Sequence, residues 1–155
     1  MRATIEYGQG LVQMYRDAGQ PWPASTHDMG EWAVSTGHFE ASRDFAVNQC
    51  AELLSRSMRE EYLTDAKGRR VRKYHAARVR LEGKQLTLWA DIETAPRRHM
   101  ELAFAQRRKQ VVDDCRQLKL DVDSYNDSKP KERPIQIVFD FTVDLEELEQ
   151  LGEVV

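Results

Sequence analysis

Apolar residues recur at helical spacing through the first sixty positions, switch to strict alternation around residue 77, and then return to helical spacing. Ile5, Gly8, Leu11, Val12 and Tyr15 predict a helix over about residues 4–18, ended by Gly19 and the Pro21-Trp22-Pro23 segment. Met29, Trp32 and Ala33 mark a second helix, starting near Thr26 or Asp28 and stopped by Gly37 after about two turns. From Ser42 to about Glu61, Phe45, Ala46, Cys50, Leu53, Leu54 and Met58 form an apolar stripe on a third helix.

The period then changes. Tyr62-Leu63-Thr64 leads into the turn signal Asp65-Ala66-Lys67-Gly68. Ala77, Val79 and Leu81 alternate with Arg78 and Arg80. After Glu82-Gly83-Lys84, Leu86 and Leu88 alternate with Thr87 and Trp89, which predicts a hairpin with an aliphatic face and an arginine face. Thr94-Ala95-Pro96 opens the longest element, with Thr94 as its expected N-cap. Its stripe runs through Met100, Phe104, Val111, Cys115, Leu118, Val122 and Tyr125. A polar loop over 126–134 precedes a strand pattern over 135–143, in which Ile135, Ile137, Phe139, Phe141 and Val143 alternate with mostly polar residues. Asp144 caps a last short helix carrying Leu145, Leu148 and Leu151.

The expected fold class is therefore α+β and mostly helical: a winged helix-turn-helix-like body with a basic β-hairpin, a long C-terminal helix and a terminal β-strand. In this reading residues 1–92 form the winged-helix-like domain, with 28–36 as supporting helix, 42–61 as recognition helix and 62–92 as wing. Residues 93–126 form a long amphipathic dimerisation helix, and 127–155 a loop, strand and short acidic helix packing on the body.

Length and composition narrow the class. The chain has 155 residues, 41% of them hydrophobic, which suits one packed domain. No apolar run approaches the ~20 residues of a membrane span, and the first ten residues lack the apolar stretch of a secretory signal, so a cytoplasmic protein with no membrane partner is expected. Cys50 and Cys115 stand alone, which points away from a disulfide framework or a zinc module. The formal net charge of −3 conceals strong segregation: net −4 over 1–55, +8 over 56–109 and −7 over 110–155. Between Ala66 and Leu81, Lys67, Arg69, Arg70, Arg72, Lys73, Arg78 and Arg80 occur without one carboxylate, which attracts polyanions.

Duplex DNA needs cations along its phosphates and a rigid probe for its groove. The wing supplies the first through Lys67, Arg69, Arg70, Arg72, Lys73, Arg78 and Arg80. The front of the third helix supplies the second through Ser42 and Arg43, with Asn48 and Gln49 behind them. Trp89 beside Arg78 and Arg80, with Tyr74 nearby, also suits stacking on unpaired bases. The expected function is non-enzymatic nucleic-acid binding, with duplex DNA favoured over single strands, in a transcriptional regulator or a mobile-element accessory protein. The protein is expected to form a homodimer through 95–125. The rival expectation is a protein-interaction or structural subunit whose basic hairpin and long helix dock on proteins.

Chemistry is sparsely indicated. The histidines at 27, 38, 75 and 99 match no zinc-enzyme spacing, and no phosphate-cradling glycine loop is present. Asp91 and Glu93 are two apart, as a Mg²⁺-dependent nuclease would need, but they also suit the start of the long helix. No catalytic residue, metal, cofactor or small-molecule ligand is inferred.

Overall fold

The computed structural model describes residues 2–153. Among them the fold is α+β and mostly helical, with five helices and two small antiparallel sheets. In chain order these are α1 (Arg2–Asp17), α2 (Thr26–Ser35), α3 (Arg43–Arg59), β1 (Tyr62–Thr64), β2 (Arg70–Arg72), β3 (Tyr74–Leu81), β4 (Lys84–Asp91), α4 (Arg97–Ser128) and α5 (Thr142–Glu153). The chain divides into two compact units, Met1–Ser57 and Met58–Val155.

In the first unit, α1 packs on α2 through aromatic residues at helical spacing. Tyr15 is buried, meets Trp32 edge-on at 5.5 Å, and donates its hydroxyl to the Pro21 carbonyl at 2.9 Å. His38 stacks on the other side of this cluster, 5.0 Å from Trp32, and its Nδ1 lies 2.6 Å from the Thr36 hydroxyl. Ser25, rather than Thr26 or Asp28, caps α2, because its hydroxyl accepts the Asp28 N–H at 3.1 Å.

The second unit is built on the hairpins and α4. Asp65 closes the β1–β2 turn by accepting the backbone N–H groups of Lys67 and Arg69, both at 2.9 Å, while Gly68 takes φ +78°. The β3–β4 hairpin has the predicted register, with Ala77 opposite Leu88, Arg78 opposite Thr87 and Val79 opposite Leu86. Helix α4 lies along the open edge of β3, where the small, buried Ala77 and Ala103 permit a close approach. There the Gln106 side-chain amide takes the place of a missing strand. Its Oε1 accepts the Arg78 N–H at 2.7 Å and its Nε2 donates to the Arg78 carbonyl at 2.9 Å. Buried His75 sits beneath, edge-on to Phe104 at 5.3 Å.

Other expected features also differ. The long helix begins at Arg97 with Pro96 as N-cap instead of Thr94, because the Asp91 carbonyl already holds the N–H groups of Thr94 and Ala95 in a turn. The terminal β-strand over 135–143 is absent: this stretch has no regular secondary structure up to Phe141 and joins neither sheet, and α5 begins at Thr142, so Asp144 lies within its first turn while the Asp140 carboxylate, rather than Asp144, accepts the Thr142 N–H. A strand needs a neighbour for its N–H and C=O groups, and here Asn126 of α4 takes that place at Ile135. Asn126 Nδ2 donates to the Ile135 carbonyl at 2.9 Å and its Oδ1 accepts the Ile135 N–H at 3.0 Å. Alternation in sequence survives here as an irregular segment against a helix.

Candidate nucleic-acid interface

Positions 103, 106, 107 and 110 share one face of α4, since they are three or four residues apart. Where this face passes the β3 edge, it meets one face of the hairpin, Tyr74, Ala76 and Arg78 of β3 with Thr87 and Trp89 opposite them on β4. Arg72 at the end of β2 and Arg59 at the end of α3 complete a cleft of about 390 Å³ within the second unit. Four guanidiniums line it, those of Arg59, Arg72, Arg78 and Arg107, and no Asp or Glu does. Among the described residues none of these four arginines forms an ion pair.

The local field is strongly positive. The Arg107 guanidinium is held below its ordinary pKa first by partial burial and then by the charge of Arg72. His75 is pushed below 6.5 chiefly by burial, with Arg107, Arg72 and His99 adding to the effect against a hydrogen bond to the Arg72 carbonyl. At neutral pH the imidazole is therefore uncharged. Its Nε2 lies 2.9 Å from the Arg72 carbonyl oxygen, an acceptor, so Nε2 carries the proton and fixes the backbone that presents Arg72. Trp89 is half-buried in the cleft, with the Arg59 guanidinium 5.5 Å from its ring centre. Gln106, by holding both backbone groups of Arg78, sets where that arginine leaves the strand.

Of the residues singled out by sequence, Arg72, Arg78 and Trp89 come together in this cleft. The others are placed elsewhere. Arg69 is paired with Asp65 at 2.7 Å, Lys73 reaches Glu61 at 3.4 Å, and Arg70 lies over the Tyr62 ring at 4.1 Å. Lys67 and Arg80 are exposed and do not line the cleft. Ser42 caps α3, its hydroxyl accepting the Phe45 N–H at 3.1 Å, and Arg43 is exposed on the first turn. Arg107 lies outside the apolar stripe of the long helix; its spacing from Ala103 and Gln110 is the signal in the sequence that places it here. Asp91 and Glu93 serve the turn into α4, with the Asp91 carboxylate accepting the Glu93 N–H at 2.8 Å. Among the described residues no group of three or more His, Cys, Asp or Glu is arranged to hold a metal ion, and no helix is long and apolar enough to cross a membrane.

Comparison with known proteins returned no matching family model, no matching curated protein and no matching solved structure.

Proposed function

We propose that this chain is a non-enzymatic nucleic-acid-binding protein that grips phosphates in the arginine cleft. The observation that carries this reading is the set of four arginines around Trp89 and Tyr74 that, among the described residues, have no carboxylate partner and share a cleft with no acidic residue. Guanidiniums match phosphate oxygens in pairs, and aromatic rings beside them offer stacking platforms to unpaired bases. Single strands are thus the better ligand for this cleft, bound with little regard to sequence. Duplex recognition through α2 and α3 is the second reading. It draws on exposed Arg43, Asn48 and Gln49 at the front of α3, but the α2–α3 link runs from Thr36 to Ser42, longer than the 3–4 residues of a helix-turn-helix.

The test is a fluorescence-anisotropy titration of labelled single-stranded and duplex oligonucleotides between about 50 and 200 mM salt. Four neutralised phosphates predict a log–log salt slope of about −2.8 for single strands, so that affinity falls about 50-fold over this range. In R72Q/R107Q the slope halves. A wild-type slope near zero, or one unchanged in the double variant, overturns the proposal. Tighter duplex binding transfers it to α3, and selective binding of an acidic polypeptide supports the protein-docking rival.

A further inference from the structure

Independently of what fills the cleft, the long helix carries a half-exposed apolar seam, touched at its ends by His75 beside Phe104 and by the 135–139 segment beside Val122. Phe104, Val111, Leu118 and Tyr125 follow one another at seven-residue steps on α4, and they remain 49%, 52%, 46% and 47% exposed. Cys115 and Val122 alternate with them at the complementary heptad positions. Seven-residue apolar spacing is the pattern that keeps one helix facing another along its length.

The chain as a whole also leaves enough surface for a partner. The chain presents 13,548 Å² of accessible surface. Two compact units of these sizes, even wholly apart, would together present only about 9,600 Å². The difference, about 4,000 Å², exceeds the roughly 1,000–2,500 Å² that each partner buries in an obligate interface. The helix itself indicates the partner and its direction. Residues 97–109 carry net +4 and residues 110–128 net −3. A second α4 laid antiparallel sets the basic half of each helix against the acidic half of the other, whereas a parallel copy sets like on like.

We infer that α4 pairs with α4 of a second copy of this chain, antiparallel, about a two-fold axis within one turn of Cys115. The midpoint of the seam falls between Asp114 and Cys115. The pairing brings the two Cys115 thiols near the axis and Phe104 of one copy near Tyr125 of the other. It leaves the two Phe104 positions about 30 Å apart along the helices.

Solution mass and cysteine cross-linking of the full chain test this. Sedimentation of the wild type gives twice 18.0 kDa, and V111E/L118E sediments as one chain with its helical circular dichroism retained. With C50S in place, a short bis-maleimide joins two chains through Cys115. In a C50S/C115S background, F104C mixed with Y125C cross-links and F104C alone does not. A wild-type mass of one chain overturns the pairing, as does cross-linking of F104C to itself, which is the mark of a parallel pair. The cross-link pattern remains decisive even if V111E/L118E fails to fold.

Discussion

Replacing Gln106 with alanine removes the side chain that satisfies Arg78 at the open edge of β3, and its effect is confined enough to measure residue by residue. In an antiparallel ladder the residues alternate between bonding across to the partner strand and turning their N–H and C=O groups outward. Because Arg78 gives both groups to Gln106, at 2.7 and 2.9 Å, Ala77 and Val79 are the positions that bond to β4. Each hydrogen bond contributes about 0.5–1.5 kcal/mol net, and water can reach the half-buried site, so Q106A costs about 1–2 kcal/mol at this edge. The assay is amide hydrogen exchange followed by NMR. The Arg78 amide exchanges about 5–30-fold faster in Q106A, while the amides of Ala77 and Val79 keep most of their protection. Since Gln106 also fixes where Arg78 leaves the strand, single-strand affinity falls modestly without a change of salt slope. Unchanged exchange at Arg78 would refute the claim that Gln106 stands in for a strand. Equal acceleration along the whole hairpin would show instead that it holds the unit together generally.

Three further outcomes are expected. His75 has a folded pKa below 6.5, so on acidification the unfolded chain takes up its proton first; the stability it contributes is complete above pH 6.5 and is lost as pH falls below it. Urea midpoints measured from pH 7.5 to 5 decline in the wild type and stay flatter in H75Q. The carboxylates of Asp65, held down first by the Arg69 N–H, and Asp140, held down by Thr142, contribute only to losses at lower pH, below their ordinary 3.8. N126A frees Ile135 from α4, so trypsin cuts after Lys131 several-fold faster while β3–β4 amide protection is unchanged. W89L weakens single-strand binding about tenfold through lost stacking and leaves the salt slope intact, as measured by anisotropy, because no charge is removed.

The helices were legible because each carries an apolar period that only a 3.6-residue turn can gather on one side, and the β3–β4 hairpin because Glu82-Gly83 interrupts a strict alternation. The candidate site was legible in part. Arg72, Arg78 and Trp89 were visible as a basic, aromatic strand face, but the residues that complete the cleft come from elements distant in sequence: Arg59 from the end of α3, and Gln106 and Arg107 from α4. The sequence also displays seven cations between Lys67 and Arg80 as if they were equivalent. Folding sets them apart, since Asp65 engages Arg69 and Glu61 engages Lys73, while Arg72 and Arg78 have no such carboxylate.

Local sequence determined the helices, the hairpin register, the segregation of charge and the heptad seam on α4, all of which depend on neighbours within a few residues. Tertiary structure decided which backbone groups find partners and which charges share a cleft. The same alternating pattern became a paired strand at residues 74–81 and an unpaired, irregular segment at 135–141, because the first met β4 and the second met Asn126 on a helix. Alternation specifies only that side chains point to opposite sides; what completes the hydrogen bonds of the backbone is set by whatever the rest of the chain brings alongside.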